Sequence, residues 1–142
     1  MKQLFTTFCV VLMVTCMAAA PIDKEKALLS AKTFMSQHGL KDPSRMAFVY
    51  QGRPMRAKAN GTSSQHAPYF IFNNGGDNGF VIVSGDDRTP SILGYSDKGA
   101  FNTEDIPTNM AAWLAGYADQ IAYLDSAGIE PPQGAVHKAP TM

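Results

Sequence analysis

The stretch GFVIVSGDDRTPSILGYS, from Gly79 to Ser96, carries the clearest structural pattern in the chain. Its first part, FVIVS (Phe80 to Ser84), is apolar on both alternating faces and rich in β-branched residues, which is typical of a central strand. SILGYS, which begins at Ser91, predicts a second strand, and GDDRTP between the two supplies turn-forming residues. The stretch therefore predicts a hairpin within a sheet.

Two more strands are predicted before this hairpin, MAFVYQG (Met46 to Gly52) and YFIFN (Tyr69 to Asn73). NGGDNG, which connects YFIFN to the hairpin, is a turn whose residues tolerate positive φ. The segment 53–66 is rich in Arg, Lys, Gly, Ser and Asn and has no hydrophobic period. We expect it to be an exposed, mobile loop.

Two amphipathic helices are predicted, one on each side of the strands in the sequence. The first begins after Asp23, a good N-cap residue, and ends at Gly39. The second is capped by Thr108 or Asn109 and ends at Gly128. Apolar residues recur at three- and four-residue spacing in both helices: Ala27, Leu28, Ala31, Phe34 and Met35 in the first, and Met110, Trp113, Leu114, Tyr117, Ile121 and Leu124 in the second.

The order helix, four strands, helix predicts an α+β fold, an antiparallel four-stranded sheet with two helices packed on one face of it. Trp113 and Tyr117 are interpreted as core residues because they belong to the apolar stripe of the second helix. An interface role for Trp113 stays open, since aromatic residues flanked by small ones are common at interfaces.

Length and charge restrict the class of protein. The 142 residues suffice for one domain, and 45% hydrophobic with 17% charged residues is ordinary globular composition. Twelve basic and twelve acidic residues give a formal net charge of zero. Because phosphate binding needs a basic excess, the composition argues against nucleic acid or an anionic membrane as the main partner.

The N-terminal residues 1–18 resemble a secretory signal peptide, with a positive start at Lys2, an apolar run and small residues before Pro21. This predicts a secreted or periplasmic protein without a stable membrane span; a lipoprotein acylated at Cys16 is the alternative. Both cysteines, Cys9 and Cys16, lie in this segment, so we expect no disulfide and no thiol nucleophile in the mature chain. Residues 19–128 then form the domain, and the proline-rich residues 129–142 form an extended linker or tail.

The polar residues of the hairpin suggest catalysis but do not match a catalytic motif. Ser84 lacks the G-x-S-x-G elbow of hydrolases. Asp86 and Asp87 are adjacent, so their side chains diverge, and we interpret them as capping the turn while Arg88 neutralises them. The chain is not predicted to be an enzyme.

No metal or cofactor site is predicted. NNGGDNG lacks the spacing of a calcium loop. His38, His66 and His137 have no pairwise spacing typical of zinc ligands. The basic residues Arg53, Arg56 and Lys58 are interpreted as part of a solvated loop.

The segment YFIFNNGGDNGFVIVSGDDRTPSILGYSDKGAF, residues 69–101, resembles the pro-domain of streptopain, a secreted bacterial cysteine peptidase, and the Spi-type inhibitors built on the same domain. The resemblance covers most of the mature chain, including both helices. It implies an antiparallel sheet with helices packed on it. It also implies a domain that covers the active-site cleft of a papain-like peptidase.

The resemblance also implies which residues bind the peptidase. In that family an asparagine at the start of the second helix reaches into the cleft, and Asn109 is the matching position. Thr108, Met110 and Trp113 would shape the contact. A streptopain-like cysteine peptidase is thus the expected partner, and a monomer is expected when the domain is free. Two alternatives stay open: the N-terminal piece of a peptidase zymogen, and a cell-surface domain without a peptidase partner.

Overall fold

In a computed structural model, which describes residues 21–40, 42–54 and 66–131, the chain folds into an α+β domain. The predicted fold class is confirmed. The elements are α1 (Lys24–Gln37), a short 3-10 helix (Pro43–Arg45), β1 (Met46–Gln51), β2 (Tyr69–Asn74), β3 (Phe80–Ser84), β4 (Ile92–Ser96) and α2 (Thr108–Ser126). The predicted signal segment, Arg56, Lys58, His137 and most of the tail lie outside the described residues.

The four strands form one antiparallel sheet in the order β1-β2-β3-β4, so every strand pairs with its neighbour in the sequence. The hairpin prediction is confirmed, and β3 is an interior strand, as its two-sided apolar pattern indicated. The NGGDNG turn is also as predicted, with positive φ at Gly75, Gly76 and Gly79.

The two helices pack on opposite faces of the sheet, and the prediction that they share one face is wrong. Alternate residues of β2 and β3 belong to two separate clusters. One cluster joins Phe72 and Val81 to α1, and the other joins Ile71 and Ile82 to α2. Because both faces of the central strands are apolar, each face requires its own covering helix. The domain therefore has three layers, with the sheet in the middle.

The helix ends agree with the predictions in α1 and differ in α2. Asp23 caps α1 by accepting a hydrogen bond of 2.7 Å from the Lys26 N–H, and Gly39 follows the helix with φ of 65°. Neither predicted residue caps α2. Its N-cap position is occupied by Pro107, and no side-chain capping bond is present among the described residues.

The C-terminal end of α2 agrees with the prediction. Gly128 adopts a φ of 63° just after the helix, which is the conformation expected of a terminating glycine. Among the described helices, none has the length and hydrophobicity needed to cross a membrane.

Candidate interaction site at the start of α2

A groove of about 460 Å³ lies between the first turns of α2 and the edge of the sheet at β4. We call it the Gly94 groove. Its lining residues are Phe80, Ile82, Leu93, Gly94, Tyr95, Asn109, Met110 and Trp113. The groove exists because α2 covers this face of the sheet incompletely at β4. Three of the four residues predicted to bind a partner line this groove, namely Asn109, Met110 and Trp113. The fourth, Thr108, is exposed in the same first turn of the helix.

Trp113 lies at the rim of the groove and is 47% exposed, so its interpretation as a core residue is wrong. Its ring stacks on Tyr117 with the centroids 6.3 Å apart, whereas Tyr117 itself is buried, as predicted. The two residues are four apart in the helix, but Tyr117 is buried against the sheet, whereas Trp113 lies at the rim of the groove. Exposed tryptophan beside a concave apolar surface is typical of an interaction site.

Asn109 is exposed, and its side chain makes a hydrogen bond to its neighbour in the sequence. Its Oδ1 accepts a hydrogen bond of 2.9 Å from the N–H of the next residue, Met110. Because no N-cap side chain bonds to the first turn of α2, the N–H groups of Thr108 and Asn109 have no partner within the helix. The start of α2 thus offers hydrogen-bond donors and an amide to a partner.

A second group of polar residues lies at the opposite end of α2. Arg88 is central to it: its side chain is only 3% exposed and contacts two carboxylates. Arg88 donates to Asp86 Oδ1 and Oδ2, at 2.8 and 2.5 Å, and to Asp125 Oδ1. His66 Nε2 lies 3.1 Å from Asp86 Oδ2. We call these four residues the Arg88 cluster.

The Arg88 cluster keeps Asp86 ionised although its side chain is almost fully buried. Burial alone would raise the pKa of Asp86, but hydrogen bonds from Arg88 and His66 outweigh this effect and hold the pKa well below its usual range. Asp86 Oδ1 also accepts the backbone N–H of Arg88. The predicted turn-capping role of Asp86 and its neutralisation by Arg88 are therefore confirmed.

Ser84 belongs to a buried hydroxyl network next to this cluster. Its Oγ donates to the Asp86 carbonyl at 2.8 Å and lies 2.8 Å from the Tyr117 hydroxyl. Thr89 Oγ1 completes the set at 2.7 Å from the same hydroxyl. Ser84 is inaccessible and links the β3-β4 turn to α2.

The sequence did not indicate that His66 would meet Asp86 and Asp125. Ligand atoms of these three residues lie within 4.8 Å of one another, a spacing compatible with a metal ion. The guanidinium of Arg88 contacts both carboxylates, however, and supplies the positive charge that a metal would bring. We therefore assign the cluster to ion pairing. The expectation that His66 lies in an exposed loop is wrong, because its side chain is only 17% exposed.

A known protein family matches most of this chain. The family model described as Spi protease inhibitor matches residues 19–121, which include the Gly94 groove and Arg88. The chain belongs to the Spi protease inhibitor family. The resemblance found in the sequence is thereby confirmed, and the family is described as one of protease inhibitors.

Two relatives of this Spi domain are themselves proteases by name. It is 32% identical over 137 residues to the thiol protease/hemagglutinin PrtT of Porphyromonas gingivalis, an alignment that covers 92% of this chain and 15% of that protein. It is 51% identical over 43 residues to streptopain of Streptococcus pyogenes, covering 30% of this chain and 11% of that protein. The Spi domain thus spans a small part of the length of these relatives. Family and relatives together support a protease inhibitor or a pro-domain.

Proposed function

We propose that this domain inhibits a streptopain-like cysteine peptidase by covering its active-site cleft with the first turns of α2. The observation that carries the proposal is the convergence of Asn109, Met110 and Trp113 on one open groove in a Spi-family domain. Thr108 precedes them on the exposed side of the helix. An interface of about 1,600 Å² would be ordinary for such a complex.

The chemistry of the helix start suits a catalytic cleft. The N–H groups of the first turn and the positive end of the helix dipole attract a carboxylate, thiolate or carbonyl oxygen. The Asn109 amide can both donate and accept a hydrogen bond. A helix does not present a peptide bond in the extended conformation of a substrate, so the bound segment resists cleavage.

The test is inhibition of streptopain-type peptidases by the purified chain. We expect stoichiometric inhibition, and Asn109→Ala should raise the inhibition constant about tenfold or more, in the range of an interface hot spot. Gln120→Ala is the matched control, because Gln120 is an exposed amide on the same helix outside the groove. Absence of inhibition at large molar excess over several such peptidases would reject the proposal.

A second candidate function is that of an inhibitory pro-segment in a peptidase zymogen. It is favoured by the small share of the relatives that this chain spans, 15% and 11%. The intact mass of the natural product separates the two functions, since a zymogen product carries a peptidase domain as well.

We further propose export of the domain through residues 1–18, in keeping with the relationship to streptopain. N-terminal sequencing of the natural product tests this. A mature N-terminus near residue 19 supports export by a signal peptide, whereas a product that retains Met1 contradicts it.

A further inference from the structure

We propose that the Gly94 groove receives an apolar side chain of the peptidase, so that Gly94 and Trp113 determine which peptidases the domain accepts. This inference rests on the proposed function and adds a second contact beside Asn109. The contact is a pocket for a partner side chain, distinct from the hydrogen bonds of the helix start.

Gly94 is a glycine that the fold itself does not need. It lies in the middle of β4, outside the left-handed φ region, and a Cβ added to it would meet no described atom within 4 Å. Gly79 and Gly85 differ, since a Cβ there would lie 2.1 and 1.8 Å from backbone oxygens. Glycine within a strand also weakens the strand. The missing side chain at Gly94 therefore leaves space on the surface without serving the packing of the domain.

The lining of the groove defines the chemistry of its occupant. None of its eight described residues carries a charge, and its single side-chain amide is that of Asn109. Phe80 and Ile82 lie on the same face of the sheet as Gly94, and Met110 and Trp113 belong to α2. A charged group would lose its hydration in this groove without gaining a partner charge. An aliphatic or aromatic side chain is the occupant that gains most from burial there.

The groove is continuous with the surface assigned to the peptidase. Asn109 lines it directly, so a protein that contacts Asn109 from the groove side also covers the space above Gly94. Trp113, 47% exposed at the rim, becomes buried when that space is filled. Continuity with the proposed contact and the absence of charge together favour the peptidase as the occupant.

The test is a series of substitutions of increasing size, Gly94→Ala, Gly94→Val and Gly94→Leu. Each should leave the domain folded, because the structure has room for the side chain. The inhibition constant should rise with side-chain size, by about tenfold or more for leucine. Ala47→Leu is the matched control: Ala47 is exposed on β1, the opposite edge strand, and its pairing with Asn73 places it on the same face of the sheet.

An independent readout shows that the new side chain occupies the groove. Trp113 is the sole tryptophan of the chain, so its fluorescence reports the groove without interference in the free domain. Acrylamide quenching of Trp113 should decrease from Gly94→Ala to Gly94→Leu and stay unchanged in Ala47→Leu. Circular dichroism confirms that each variant is folded.

The outcomes are distinguishable. If the unsubstituted chain fails to inhibit any peptidase, the proposed function is rejected. If it inhibits, and Gly94→Leu shields Trp113 yet inhibits equally well, only the present inference is overturned. Sedimentation that shows a dimer of the free chain, dissociated by Gly94→Leu, would also overturn it, because the occupant would then be a second copy of the domain.

Discussion

Replacing Arg88 by methionine should strongly destabilise the domain. Methionine keeps much of the volume of the side chain and removes its charge. It leaves the carboxylate of Asp86, which is 1% exposed, without its main partner, and it also removes the contacts to Asp125 and to the Ile129 carbonyl at 3.1 Å. Breaking a buried ion pair from one side costs about 3 to 5 kcal/mol of unfolding free energy.

This loss is a large part of the about 5 to 15 kcal/mol by which a typical domain is stable. Urea unfolding followed by circular dichroism measures it directly, and the melting temperature should fall by more than about 10 °C. Arg53→Met is the matched control, because Arg53 is exposed and should change stability by less than about 0.5 kcal/mol. An Arg88→Met variant within about 0.5 kcal/mol of the unsubstituted chain would refute the assignment of Arg88 as the partner that compensates Asp86.

Three further predictions concern stability. The pKa of Asp86 is lower in the folded than in the unfolded chain, so the ionised carboxylate stabilises the fold fully above the unfolded-state pKa of about 3.9 and this stability is lost as the pH falls. The urea concentration at the unfolding midpoint should therefore decline below about pH 4. It should decline less in Asp86→Asn. Gly85→Ala should cost more than about 2 kcal/mol in the same assay, since its Cβ would lie 1.8 Å from the Ala67 carbonyl oxygen, and a neutral result would contradict the packing at this turn. Asp23→Ala should cost about 1 kcal/mol by removing the α1 cap on the Lys26 N–H, whereas Asp23→Asn should retain most of the stability.

The strands and the hairpin could be predicted because their signals are local. FVIVS is apolar on both faces, and this alone placed β3 inside the sheet. Asx and glycine residues marked the turns, and Asp23 and Gly39 marked the ends of α1. The residues at the start of α2 came from the resemblance to the Spi family. The structure adds that three of them line the same groove.

The placement of the helices could not be predicted from the pattern of each helix alone. An amphipathic stripe indicates that a helix packs on something, but not on which face of the sheet. The sequences YFIFN and FVIVS did indicate two buried faces, because they are apolar at successive positions. Ile71 and Phe72 lie on opposite faces of the sheet, and each packs in a different hydrophobic cluster. Trp113 was misassigned for a related reason. It lies on the border of the apolar stripe, at the open groove between α2 and β4, and its side chain stays 47% exposed.

The Arg88 cluster escaped sequence analysis because its members are far apart in the chain. His66 and Asp86 are 20 residues apart, and Arg88 and Asp125 are 37 apart. No periodicity or short motif connects such residues. The only local signal was the Asp86-Asp87-Arg88 run itself, which indicated charge neutralisation within the turn and not the second carboxylate on α2.

The same separation has a consequence for the order of folding. Each strand pairs with its neighbour in the sequence, and β2, β3 and β4 are joined by short turns, so this part of the sheet can form through local contacts. The contacts from Arg88 to Asp125 and Ile129 close much longer loops, and long loops close late. Interactions that form after the transition state affect the unfolding rate and leave the folding rate almost unchanged. We therefore expect the Arg88 cluster to determine the unfolding rate, and hence the lifetime of the folded domain, and the pairing of the strands to determine the folding rate.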